Sequence, residues 1–135
     1  MHAKNEILSV NRAYYAAFAE KDLRTMDVIW ARYHPVACIH PGWNALAGRD
    51  AVMASWQAIM SQSNQPVVLC QDEQVTIFGS MAMVVCSEIV ESTRLVATNL
   101  FVQEDGAWRM VHHHAGPIPS ALLELPEDSS TALLH

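Results

Sequence analysis

The sequence predicts an α+β fold in which helices gather on one face of a curved, mostly antiparallel sheet. Three observations predict it. Apolar residues recur at helical spacing through the first half of the chain, and β-rich runs punctuated by turn residues occupy most of the second half. The apolar share of 51%, against 16% charged residues in 135, is enough to bury one core.

The elements follow in order. Between Ala3 and Glu20, residues Ile7, Val10, Tyr14, Ala17 and Phe18 fall on one side of a helix at three- and four-residue steps. Glu20-Lys21-Asp22 interrupts this pattern, and Asp22 is placed to cap a shorter helix from about Leu23 to Trp30 with Met26 and Trp30 turned inward. Val36 to His40 is short, partly β-branched and stopped by Pro41-Gly42, which reads as a strand ending in a turn. Gly48-Arg49-Asp50 then opens a third helix over Ala51 to Ser61, where Val52, Trp56, Ile59 and Met60 have helical spacing.

Four β-rich runs near 66–78, 81–92, 94–104 and 107–115 read as successive antiparallel hairpins. Asp105-Gly106 is the clearest turn, because both residues tolerate the positive φ that a tight hairpin requires. The domain is expected over residues 1–120. Beyond it, the proline-bearing acidic stretch 121–135 is expected to be a partly flexible tail after a short helical turn at Ser120 to Leu125.

Charge narrows the partners. Eight Lys and Arg against 14 Asp and Glu, a formal net charge of −6, give no basis for holding a phosphate backbone, so nucleic acid is not expected. No apolar run reaches the roughly 20 residues of a membrane span, and Met1 to Asn11 lacks a secretory pattern, so the chain reads as cytoplasmic. Cys38, Cys70 and Cys86 show neither a C-x-x-C pair nor a zinc-type spacing, and read as reduced, buried thiols.

Three stretches carry a family resemblance: Cys38-Ile39-His40-Pro41-Gly42-Trp43 followed by Gly48-Arg49-Asp50 and the third helix; Ala97 to Phe101; and Gly106 to His114. Together they resemble the SnoaL-like branch of the nuclear-transport-factor-2-like superfamily. The resemblance implies a cone in which a strongly curved, mostly antiparallel mixed sheet wraps its concave face around three helices. It also implies a pocket at the wide end and, commonly, a homodimer through the outer sheet face. Relatives include isomerases, cyclases, dehydratases and non-catalytic assembly domains, so it does not imply one activity. The pocket aspartate that serves as base in the isomerases and cyclases has no counterpart by motif here.

Strand alternation supplies the candidate site. Trp108, Met110, His112 and His114 share one parity, and a bulky Trp-Met pair belongs inside, so His112 and His114 are expected to point inward and His113 outward. By the same reasoning Asn99 and Phe101 face inward, as do Ala82, Val84, Cys86 and Glu88. The candidate catalytic set is therefore His112, His114, Glu88 and Asn99. A histidine beside Glu88 suits general acid–base chemistry, and Asn99 is available to donate to a carbonyl or enolate oxygen. His40, Trp43, Tyr14, Trp30, Tyr33, Trp56 and Phe101 are the expected pocket wall.

The matching reactions are proton transfer alpha to a carbonyl and hydration or dehydration of a small apolar compound, with no cofactor. Two other readings stand beside this one. The same histidines suit a non-catalytic binding or dimeric assembly domain, and His40, His112 and His114 together suit a metal. Glu88 has a structural alternative as an ion-pair partner of Arg94 or Arg49.

Overall fold

The computed structural model describes residues 2–119. The tail expected over 121–135, and the helical turn from Ser120, lie outside these residues.

Helix α1 (His2–Glu20) buries Ile7, Asn11, Tyr14, Tyr15 and Ala17 along its inner stripe. It ends in a left-handed Lys21 (φ 55), where Lys21 N–H donates to Phe18 and Asp22 N–H to Ala17 carbonyls. That paired closure satisfies carbonyls the last turn would leave orphaned. Asp22 caps α2 (Leu23–Ile29) as the sequence predicts, accepting from Thr25 N–H at 3.1 Å. Helix α3 (Arg49–Met60) follows Gly48, whose φ of 92° suits a residue without a Cβ. Arg49 ties the two short helices together by donating to the carbonyls of Asp27, Trp30 and Ala31 and to the Asp27 carboxylate.

The strands are β1 (Ala37–Ile39), β2 (Leu46–Ala47), β3 (Val68–Phe78), β4 (Met81–Val90), β5 (Thr93–Glu104) and β6 (Ala107–Pro117). They form one open mixed sheet in the order β2-β1-β6-β5-β4-β3, with β1 parallel to β6 and every other pairing antiparallel. The two-residue β2 is absent from the sequence reading because it is too short to show alternation. Asp105 (φ 52) and Gly106 (φ 79) make the last hairpin with the expected positive angles.

The core lies between helices and sheet, where Ile7, Tyr14, Met26, Trp30 and Val52 meet Val84, Phe101 and Met110. No helix of the described residues is long and apolar enough to cross a membrane.

Inward parity along β4 and β5 follows the prediction, with Ala82, Val84, Cys86, Glu88, Ala97, Asn99 and Phe101 all buried. Strand β6 departs from it. Its pairing with β5 runs Leu100 to His112 and then Phe101 to Met110, which leaves Val111 as an extra residue in a β-bulge. The alternation reverses there. Trp108 and Met110 point inward as expected, but beyond the bulge His113 and Ala115 are the buried residues, while His112 is half-buried and His114 exposed.

The chain leaving α2 accounts for the local break in the ladder. Trp30 bridges Met110, and Ala31 N–H donates to the Met110 carbonyl at 2.9 Å.

Candidate functional site

A pocket of about 600 Å³ opens between α1, α3 and the inner face of β4, β5 and β6. Aromatic and aliphatic side chains make most of its wall, among them Tyr14 and Phe18 from α1, Trp56 and Ile59 from α3, and Leu95 from β5. Trp43, Gln62, Pro66 and Thr93 form an exposed rim. The buried end is polar and consists of Tyr15, His40, Glu88 and His113.

Hydrogen bonds decide where the protons sit at that end. The Asn99 amide group donates to Asn11 Oδ1 at 2.8 Å and to the Tyr15 hydroxyl at 3.3 Å, so Asn99 Oδ1 is an acceptor. It lies 2.6 Å from His113 Nδ1, which must therefore carry the ring proton. The lone pair on Nε2 is left facing Glu88, whose Oε2 is 3.9 Å away. Tyr15 donates to that same oxygen at 2.6 Å. Behind this row, Asn11 Nδ2 donates to Glu73 at 2.8 Å, and Glu73 accepts from Arg12 at 3.1 Å.

His40 is fixed in the same manner. The Ser55 hydroxyl donates to the Val52 carbonyl at 2.6 Å, so it accepts from His40 Nε2–H at 2.9 Å. Trp43 and Trp56 stand edge-on to the imidazole, with ring centroids 4.9 and 4.8 Å away.

Burial sets the charge states. It pushes His113 down to about 3, with His40, His112 and His114 adding to the effect, and pushes His40 down to about 4. Both rings are neutral near pH 7. Burial raises Glu88 above the usual carboxylate range, against the lowering effect of the Tyr15 hydrogen bond. It also raises Tyr14 well above an ordinary phenol, with Cys38 and Glu88 contributing, so the Tyr14 hydroxyl keeps its proton. Among the described residues no Lys or Arg lines the pocket. The site thus offers a neutral imidazole, a carboxyl group that holds its proton more tightly than an exposed one, and phenol hydroxyls, in apolar surroundings.

Several predicted residues fall where expected. Tyr14, His40, Trp43, Trp56 and Glu88 line the pocket, and Glu88 pairs with neither Arg94, which meets Asp72, nor Arg49, which meets Asp27. Others do not. His112 and His114 stand on the outer side of the sheet with ring centroids 6.4 Å apart, because the Val111 bulge shifts the alternation. The same shift separates them from His40, which dismantles the three-histidine metal reading.

Asn99 is buried behind His113, and both donor hydrogens of its amide are already used, so it does not point a donor into the pocket. Trp30 and Phe101 are wholly buried core residues that do not line the pocket. Tyr33, 73% exposed, lies on the outside.

The residues missed at first are His113, Tyr15 and Asn11. Asn11 had a readable signal, since it falls four residues after Ile7 on the buried stripe, where a polar side chain requires a partner. The adjacent apolar pair Met110-Val111 was the corresponding signal for the bulge, since strict alternation does not bury two consecutive residues.

Comparisons with known proteins agree with this architecture. The family model of the SnoaL-like domain matches residues 7–120. A solved structure from Streptomyces avermitilis, described as a candidate dehydratase of the NTF2-like family, is 29% identical with a TM-score of 0.77, covering 84% of this chain and 94% of the other. A structure from Thiobacillus denitrificans, described as a candidate calcium/calmodulin-dependent protein kinase type II association domain, is 30% identical with a TM-score of 0.72, covering 81% and 92%. The F-box protein SKIP8 of Arabidopsis thaliana is 28% identical over 111 residues, which is 81% of this chain and 48% of SKIP8, so the chain spans about half the length of that relative. With the family model spanning nearly all of the described residues, this chain belongs to the SnoaL-like domain family.

Proposed function

We propose that this protein binds a small apolar or mixed-polarity carbonyl compound and acts on it as a cofactor-independent lyase or isomerase, with His113 as the proton carrier in the role first given to His112 or His114. One observation carries the reading: a neutral imidazole nitrogen lies 3.9 Å from a carboxyl group of raised pKa at the closed end of an apolar pocket.

In the proposed reaction His113 Nε2 takes a proton from the carbon alpha to the carbonyl. The Tyr14 hydroxyl donates to the carbonyl oxygen as negative charge develops, and Glu88 in its carboxylic acid form gives a proton to the product or to a departing hydroxyl. The proton taken by His113 then passes to Glu88 to restore both groups. Asn99 and Asn11 hold the imidazole in its tautomer. The candidate dehydratase among the relatives belongs to the same reaction class. We place the activity in the cytoplasm, in keeping with the three cysteines being free thiols in this structure.

The test is a thermal-shift screen of uncharged ketones, lactones and hydroxyketones, followed by turnover of the compounds that bind. His113→Asn and Glu88→Gln are expected to lower kcat by about 100-fold or more while the fold persists. Undiminished turnover in both variants would remove the proposal.

A second reading is favoured by the outer sheet face. Met83, Val85, Ile89, Leu100 and Val96 leave apolar surface there, and one relative is described as an association domain. On this reading the chain is a homodimer through that face, and the pocket binds its ligand without chemistry.

A further inference from the structure

Two of the three thiols are neighbours beneath α1. Cys70 on β3 pairs across the ladder with Glu88, and Cys86 lies two residues before Glu88 on β4, so both sulfurs project to the helix side. Contacts with α1 agree: Asn11 Nδ2 is 3.8 Å from Cys70 Sγ, and the Tyr15 hydroxyl is 3.4 Å from Cys86 Sγ. Each thiol also perturbs the other, the Cys86 sulfur raising Cys70 and Cys70 lowering Cys86. Cys70 is half-buried and Cys86 is buried.

Diagonal neighbours in a regular ladder sit about 7–8 Å apart, past the roughly 6.8 Å that a disulfide usually spans, so a bond there requires the backbone to shift. This ladder is not regular. Its pairing jumps from Gln71–Ser87 to Gln74–Val85, with Asp72 at φ 57, so Cys86 faces a bulge where β3 lacks ladder bonds that would hold it rigid.

We infer that Cys70 and Cys86 form a reversible thiol–disulfide site that reacts with small hydroperoxides. The half-buried Cys70 is the thiol a peroxide reaches first. Its sulfur attacks as its proton passes to the departing oxygen; the O–O bond breaks, the sulfur keeps one oxygen as a sulfenic acid, and the other leaves as water or an alcohol. Cys86 sulfur then attacks that of Cys70; the S–S bond forms, the S–O bond breaks, and the hydroxide leaves with the Cys86 proton as a second water. A dithiol reverses the change. Cys38 takes no part, since β1 is separated from β4 by β6 and β5, and burial pushes its thiol up to about 12. Because Asn11 and Tyr15 also hold Asn99 and Glu88, the oxidation state reaches the closed end of the pocket.

The experiment treats the full chain with hydrogen peroxide, alkylates the remaining thiols after denaturation, and maps the peptides by mass spectrometry. The expected result is a Cys70–Cys86 linked peptide with alkyl label on Cys38 alone, restored to full labelling by dithiothreitol. Cys38→Ala should still form the link, whereas Cys70→Ala should leave Cys86 labelled. Full labelling of all three cysteines, a link that includes Cys38, a link between two chains, or irreversible oxidation of Cys70 without a link would each overturn the assignment. The wild-type map needs no variant to fold.

Discussion

His113 owes its tautomer and its neutrality to partners and packing around the ring. Asn99 consumes the Nδ1 proton, burial withholds a second proton, and Nε2 is left as a base beside Glu88. The same arrangement makes stability depend on pH. Folded His113 and His40 accept protons only near pH 3 and 4, against about 6.5 for the unfolded side chain. Below pH 6.5 the unfolded chain therefore binds more protons than the folded one, so these residues favour the folded state fully above that pH and progressively less as pH falls toward 4. For His40 the gap amounts to about 3 kcal/mol. Glu88 acts in the opposite sense: its raised pKa favours folding below about 4.5, and that contribution is lost as pH rises through its folded value. Urea midpoints should fall steeply between pH 6.5 and 4, and His40→Gln should flatten that slope; an unchanged slope would mean that His40 is not held neutral.

At the scale of an element, β6 shows what a sequence pattern reveals and what it hides. The hairpin at Asp105-Gly106, the Asp22 cap and the inward faces of β4 and β5 were all readable, because each rests on local chemistry or strict alternation. The histidine assignment failed because one unpaired residue reverses the face of everything after it, and the partner that accounts for the irregularity, Ala31, is distant in sequence. Strand phase can be tested directly. Deleting Val111 leaves His113 inward by simple alternation from Met110, so ligand binding should survive at reduced stability. Inserting one alanine after Val111, with the bulge kept by its Ala31 contact, should turn His112 and His114 inward and abolish binding. Calorimetry with a ligand from the thermal-shift screen distinguishes the two, and equal affinity in both variants would show that phase does not govern the site.

For the whole molecule, composition and element order were sufficient for the α+β class and the helix-covered sheet, while the pocket depended on long-range placement that no local pattern encodes. Tyr33 and Trp30 illustrate this, being aromatic residues of similar promise that ended respectively outside the sheet and deep in the core. If the outer face joins two copies, Val85→Glu combined with Leu100→Glu should convert a dimer to a monomer in sedimentation without unfolding it; a monomeric wild type would dismiss that interface.

The parallel pairing of β1 with β6 has a consequence for biogenesis. The strand leading into His40 pairs locally with the two-residue β2, but it joins the rest of the sheet through β6, which is made only after nearly all of the described chain. The successive hairpins close over short separations and are free to form early, whereas the β1–β2 pair must wait for β6 before it can dock on the sheet. Nascent chains halted before β6 should therefore hold the β1–β2 pair undocked from the sheet, so this receptacle comes into being only once β6 has been made.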